Sequence, residues 1–191
     1  IANAQLYWNT LDNDYFLRYR PEFIAWHTQS LLSTSVTQLP LVTARPLLGS
    51  ETAQFLICAP DSDQLLSNIT ASFDKESINI VDARVHKAQS GLTIMIFVVL
   101  MQPGVSIDPS YIEASALMIR KRLLNPDLLS PVERKRIAPR LKHFPIETEV
   151  LFQPAYETNY TTMEVIAQDR PGLLHQVANA LLACKVRLLN A

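Results

Sequence analysis

The sequence predicts an α+β fold, and three observations support this prediction. Compact apolar runs without a helical period, such as Gln54–Ala59 and Leu92–Met101, are typical of strands. Elsewhere, apolar residues recur at helical spacing, from Leu65 to Phe73 and from Ile112 to Leu123. The 191 residues are 48% apolar and 18% charged, which is a globular composition and allows one or two domains.

The predicted elements follow one another in the order strand, helix, strand, strand, helix, strand. Gln89–Gly91 is a hairpin signal between the second strand, Ile78–His86, and the third. We expect the last strand at Glu147–Phe152, after a polar insertion at residues 125–145. This βαββαβ order is that of the ferredoxin-like fold, and we assign it to residues 51–154.

A helical segment precedes this unit. Residues 1–32 carry apolar side chains at helical spacing, and Pro21 suits the first turn of a helix. Residues 33–50 are predicted to be a connector, because Thr, Ser, Pro and Gly are frequent there. A short strand could lie at Leu39–Val42 within it.

The strand and helix of the first unit recur 108 residues later. Apolar positions agree throughout the repeat, and five residue pairs are identical: Ala59 and Ala167, Asp61 and Asp169, Leu65 and Leu173, Leu66 and Leu174, Ala83 and Ala191. The second copy, residues 158–191, corresponds to half of a ferredoxin-like unit, so we expect a fragment cut inside a domain. Its apolar helix needs cover, either from the first copy or, as we favour, from a second chain in a homodimer.

Composition and spacing exclude several functional classes. The net charge of −1 argues against a nucleic-acid-binding protein, and the longest apolar run, eight residues, is too short to cross a membrane. The four glycines form neither a dinucleotide-binding motif nor a P-loop, and the four histidines have no metal-ligand spacing. We expect Cys58 and Cys184 to be buried thiols of a cytoplasmic protein. The basic stretch Arg120–His143, with eight of the 17 Lys and Arg residues, is interpreted as a solvated linker or a protein-docking segment.

The most specific motif follows the first strand of the second copy. Asp169, Pro171, Gly172, Leu173 and Leu174 form Asp-x-Pro-Gly-Leu-Leu, which resembles the signature of ACT domains, regulatory modules that bind amino acids. Free backbone N–H groups at the start of a helix can hold a carboxylate, and glycine allows close approach. The resemblance implies an amino-acid ligand with contacts from the following residues: Asp169, Arg170, Pro171, Gly172, Leu173 and Asn190, with Asp61 and Asp82 in the first copy. The first copy has Asp63 and Gln64 where the motif has Pro and Gly, and two acids there would repel a carboxylate.

Four further blocks resemble one family of enzymes. Asp14–Arg18, Pro21–His27, Phe55–Asp61 and Leu141–Val150 are similar, in this order, to the end of bifunctional uridylyltransferase/uridylyl-removing enzymes, which modify the PII nitrogen-signalling protein. In that family a nucleotidyltransferase domain and a phosphohydrolase domain precede two ACT domains. The resemblance implies that residues 1–32 are the end of the preceding helical region. It also implies a parent enzyme that uses Mg²⁺, and glutamine as the ligand sensed here. No catalytic or metal-binding residue of the family can be carried over to this chain, so we expect the chain itself to bear no catalytic activity and to need no cofactor.

Two alternatives remain open. Gly49-Ser50 with Asp61 and Asp63 mimics the nucleotidyltransferase pattern, in which paired acids hold Mg²⁺ and a third acid, here Asp82, assists. The chain could also be the ACT sensor region of another enzyme, such as a (p)ppGpp synthetase/hydrolase.

Overall fold

The computed structural model describes residues 2–47, 51–100, 108–129, 147–154 and 161–189. The chain divides into two compact units, Ile1–Val132 together with Leu174–Ala191, and Glu133–Leu173. The predicted α+β class is confirmed, since helices combine with antiparallel sheet. Most of the predicted basic insertion, Asn190 and the Gly49-Ser50 pair lie outside the described residues.

The first unit contains a four-stranded antiparallel sheet. Its strands are β1 (Leu41–Pro46), β2 (Thr52–Pro60), β3 (Asn79–Lys87) and β4 (Leu92–Leu100), in the spatial order β1-β2-β4-β3. Helix α4 (Leu65–Lys75) follows β2 and helix α5 (Pro109–Leu124) follows β4. Short 3₁₀ turns at Val36–Gln38 and Pro126–Leu129 complete the central part of the chain.

The two faces of this sheet are covered by different helices. Alternate residues of β2 point to opposite faces, so Phe55 and Ile57 pack with α4 and α5, whereas Leu56 and Cys58 pack on the other side. That other side is covered by the helical segment, α1 (Ala2–Trp8), α2 (Asn13–Arg18) and α3 (Pro21–Leu32). The helical segment and the sheet thus form one unit.

The prediction that Glu147–Phe152 completes the first sheet is wrong. The position beside β2 is taken by β1, which lies within the predicted connector and begins two residues after the start of the possible strand at Leu39–Val42. Strand β1 reaches β2 through a short link, whereas Glu147–Phe152 would have to return from beyond α5 and the insertion. Closing the shorter loop costs less conformational entropy.

Glu149–Pro154 instead forms strand β5, which pairs with β6 (Thr161–Ile166) in the second unit. This hairpin repeats the β1–β2 hairpin in the same register. Leu41 pairs with Cys58, and the residues 108 positions later, Glu149 and Ile166, pair likewise. The repeat therefore begins one strand earlier than its sequence identities indicate.

Helix α6 (Leu173–Ala183) is the counterpart of α4, and the part from Leu174 onward belongs to the first unit. Leu174 and Leu188 pack against the hydrophobic core that α4 and α5 form with the sheet. Half of a ferredoxin-like unit would continue with a strand after this helix, as β3 follows α4, but the described residues 185–189 form none. Cys58 is buried as predicted, but Cys184, which directly follows the last residue of α6, is exposed, so its predicted burial is wrong.

Candidate functional site

The first candidate site surrounds Asp61, which directly follows strand β2. The backbone N–H of Asp61 donates to the carbonyl oxygen of Gly91, at a distance of 3.1 Å, in the β3–β4 hairpin turn. Gly91 has a φ of +78°, a left-handed conformation that favours glycine. This contact holds the end of β2 against the neighbouring hairpin.

Among the described residues, three side chains donate hydrogen bonds to the Asp61 carboxylate. Lys87 Nζ lies 2.9 Å from Oδ2, and Thr93 Oγ1 lies 2.9 Å from Oδ1. Lys87 and Thr93 are cross-strand partners in the register of β3 and β4. The third donor is Arg187, which follows α6, with a guanidinium nitrogen 2.8 Å from Oδ2.

The carboxylate is ionised over the ordinary pH range. Partial burial raises the pKa of Asp61, but the hydrogen bonds from Lys87, Arg187 and Thr93 outweigh it and hold the pKa at about 2. The same interaction raises the pKa of Arg187. Asp61 therefore carries a full negative charge that is balanced within the chain.

A small cleft opens beside these groups, and its wall is mainly apolar. The apolar side chains are contributed by α4, β3, β4, α6 and the residues after α6: Leu66, Val85, Met95, Ala178, Leu181, Leu182, Val186 and Leu188. Asp63 lies at its rim beside Ser62. The cleft thus combines one neutralised carboxylate with a hydrophobic wall.

The second candidate site is the turn before α6, which carries the Asp-x-Pro-Gly-Leu-Leu motif. Asp169 and Pro171 are exposed, and Arg170 is half-buried. Gly172 has a φ of +77°, and the N–H of Leu173 donates to the carbonyl oxygen of Arg170 at 3.1 Å. A side chain at Gly172 would strain this turn. Pro171 lies two residues before the first residue of the helix.

The equivalent turn before α4 is built differently. The N–H of Leu65 donates to the carbonyl oxygen of Ser62 at 3.1 Å, so both helices begin after the same backbone hydrogen bond. Gln64, however, stands in the place of Gly172 and has right-handed helical angles, φ −86° and ψ −8°. The turns therefore differ in conformation at the glycine of the motif.

Asp82 is placed apart from the cleft at Asp61. It lies on β3 beside a β-bulge, and its carboxylate accepts from Arg84 Nε at 3.0 Å. The described residues that line the cleft do not include Asp82. Two residues of the first copy, Asp61 and Asp82, were predicted to bind the ligand. Of these two, only Asp61 lines the cleft.

Sequence reasoning missed Lys87, Thr93 and Arg187. The predicted hairpin turn at Gln89–Gly91 could have placed Lys87 opposite Thr93, because paired strands bring such residues together. No local signal joins Arg187 to Asp61, which is 126 residues away.

In the part of the chain that the structure describes, no three side chains among His, Cys, Asp and Glu cluster closely enough to hold a metal ion. None of the helices in this described part has the length and apolar character of a membrane span.

The basic residues of α5 that the structure describes are partly structural. Arg120 donates to the carbonyl oxygens of Pro40 and Gln38, each at 2.9 Å. Arg122 forms an ion pair with Glu76 at 2.6 Å and donates to the carbonyl oxygen of Ser72. These two arginines bind the residues before β1 and the end of α4 to α5. The start of the basic stretch is therefore part of the folded unit and not of a solvated linker.

The fold and the two turns define the class of this chain: an α+β protein built on ferredoxin-like topology, with a repeated hairpin and helix. Comparison with known proteins identifies the relatives. Residues 2–30 match the family model "Uridylyltransferase GlnD fifth domain". The chain as a whole is similar to bifunctional uridylyltransferase/uridylyl-removing enzymes, which confirms the resemblance stated from its motifs.

Three such relatives illustrate the match. The enzyme of Methylococcus capsulatus is 31% identical over 96% of this chain, that of Pseudomonas fluorescens is 32% identical over 96%, and that of Ectopseudomonas mendocina is 32% identical over 99%. The aligned parts make up 21%, 21% and 22% of these relatives, so the chain spans about a fifth of their length. No solved structure matches the chain.

Proposed function

We propose that this chain is the regulatory, amino-acid-sensing region of a bifunctional uridylyltransferase/uridylyl-removing enzyme that modifies PII, and that glutamine is its ligand. Similarity to such enzymes over nearly the whole chain supports the parent activity. The parent would supply catalysis, with Mg²⁺, from parts beyond the aligned fifth. This region would act by binding, in the cytoplasm.

The Asp169–Leu173 turn is our proposed amino-acid site, and Gly172 is the observation that carries it. Its left-handed φ of +77° leaves the backbone before α6 open to close approach, which Gln64 does not offer in the first copy. The ligand carboxylate would accept from backbone N–H groups at the start of α6, where the helix dipole favours negative charge. Asp169 is exposed and suited to bind the ligand ammonium group.

Binding would act on the parent through coupling between distinct sites. Glutamine must bind one state of the parent more tightly than the other in order to shift it between uridylylation and uridylyl removal. A coupling of 1–3 kcal/mol, which is typical, changes such a balance roughly 5- to 150-fold.

The structure gives the nucleotidyltransferase alternative no support. That reading requires Asp61 to bind Mg²⁺ together with Asp63 and Asp82. Asp61 instead binds two cationic side chains of its own chain, and Asp82 pairs with Arg84. The similarity to uridylyltransferases likewise favours this parent over a (p)ppGpp enzyme.

Calorimetry with glutamine on the whole parent protein tests the proposal. We expect one binding event, which Gly172→Asp removes by adding strain and negative charge to the turn. Gly91→Ala is the matched control, since Gly91 has nearly the same φ but lies in another turn, and we expect it to bind normally. Unchanged binding by Gly172→Asp would refute this site. We expect the isolated chain to give little heat and, when incubated with UTP, Mg²⁺ and PII, no mass increase of PII.

A further inference from the structure

The contact between Asp61 and Arg187 joins the two copies of the repeat within the first unit. Asp61 follows the first-copy strand β2, and Arg187 follows the second-copy helix α6. Arg187 keeps 66% of its side chain exposed, whereas Asp61 keeps 21%. The arginine therefore reaches from the surface to a carboxylate that is already bound by Lys87 and Thr93.

Helices α4 and α6 also meet, and their contact is polar. His175 Nδ1 lies 3.1 Å from the carbonyl oxygen of Ser67 and 3.2 Å from Thr70 Oγ1. Ser67 Oγ donates to Asn179 Oδ1 at 2.6 Å. Ser67 and His175 occupy equivalent positions of the repeat, 108 residues apart, so the helices meet about a pair of matching residues.

We infer that the Asp61 turn is a docking site for the part of the second copy that lies in the first unit, α6 from Leu174 onward and the residues after it, in which Asp61 holds Arg187, and that it is not a second amino-acid site. That the Asp61 turn is not a second amino-acid site rests on the proposed function. That Asp61 holds Arg187 there does not.

The chemistry of the cleft supports docking. A carboxylate has about four acceptor positions, and three of them at Asp61 already accept hydrogen bonds from Lys87, Thr93 and Arg187. An incoming ammonium group would find one position left and would lie beside two cationic side chains that repel it. Asp63 at the rim would repel the carboxylate of an amino acid. Leu181 and Leu182 of α6 form part of the apolar wall, so the second copy itself supplies one side of the cleft.

Hydrogen exchange over residues 174–189 of the isolated chain, without glutamine, tests docking. We expect Asp61→Asn and Arg187→Met to reduce protection about 2- to 5-fold, the range of an exposed ion pair. The double variant should lose no more protection than Asp61→Asn alone, because both substitutions remove the contact between Asp61 and Arg187. Arg18→Met is the matched control: it removes the exposed pair with Asp14 and should leave these residues unchanged. Equal protection in all variants, or losses that add, would overturn the inference.

Calorimetry of the whole parent with glutamine tests the statement about ligand number. We expect one glutamine per chain, and affinity within about 2-fold of the natural protein for Asp61→Asn. Two sites per chain, or loss of a site in Asp61→Asn, would overturn that statement. Absence of heat in the natural protein would refute the proposed function instead, while the exchange experiment still decides docking.

Discussion

The hydroxyl of Tyr15 lies 2.8 Å from Nδ1 of His27, and neither residue is exposed to solvent. This hydrogen bond joins α2 to α3 where the helical segment lies against the sheet. Nearby, the hydroxyl of Tyr19 lies 3.0 Å from Nε2 of His86 on β3. The partly buried Tyr19–His86 contact therefore joins the helical segment to the sheet in addition to the apolar packing.

Tyr15→Phe should destabilise the first unit by about 1–3 kcal/mol, because it leaves a buried ring nitrogen of His27 without its partner. Urea unfolding followed by circular dichroism would measure this loss. Leu17→Ala is the control in the same helix: Leu17 is 84% exposed, and its substitution should stay within about 0.5 kcal/mol. A Tyr15→Phe variant as stable as the control would show that the bond contributes little.

Acid should weaken the same unit. Burial lowers the pKa of His27 to about 4 from an ordinary 6.5, and the nearby Arg45 acts in the same direction. The folded state thus binds fewer protons than the unfolded state, so stability is full above pH 6.5 and falls as the pH drops toward 4. The total loss in the free energy of unfolding from His27 is on the order of 3 kcal/mol. Burial also lowers the pKa of His86.

Urea unfolding between pH 7.5 and 4.5 checks this dependence. His27→Gln removes the titrating group, so its stability should fall less steeply over this range than that of the natural chain. Identical slopes in the two proteins would exclude His27 as the source.

Arg120→Met should loosen strand β1. The guanidinium group donates to the carbonyl oxygens of Gln38 and Pro40, just before the strand, and bonds from a charged group contribute about 1.5–3 kcal/mol. We expect faster amide exchange over residues 41–46. Lys121→Met, at the next and exposed position of α5, removes an equal charge and should leave exchange there unchanged. Equal exchange in both variants would contradict an anchoring role for Arg120.

Gly91→Ala should cost about 1–2 kcal/mol from backbone strain alone, because the left-handed conformation penalises a Cβ. An added Cβ would meet no atom within 4 Å, so no steric clash contributes. Thermal unfolding would measure the loss. A stability loss well above 2 kcal/mol would indicate that the turn has a further role.

Local patterns determined much of this protein. The apolar runs and helical spacings predicted β2, β3, β4, α4 and α5, because burying alternate residues or one helix face is dictated by neighbours in the chain. The turn at Gln89–Gly91 and the repeat at 108 residues were also predicted. The Asp-x-Pro-Gly-Leu-Leu motif pointed to Gly172, whose positive φ agrees with the need for glycine.

Tertiary structure alone decided which segment lies beside β2 and what Asp61 binds. Leu41–Pro46 and Glu149–Pro154 could each pair with an open strand edge, and local patterns do not rank two such partners. The choice depends on loop length and on anchors such as Arg120, which bonds across 80 residues or more. Arg187 reaches Asp61 only because α6 packs on α4, and a contact between such distant residues depends on the packing of whole elements.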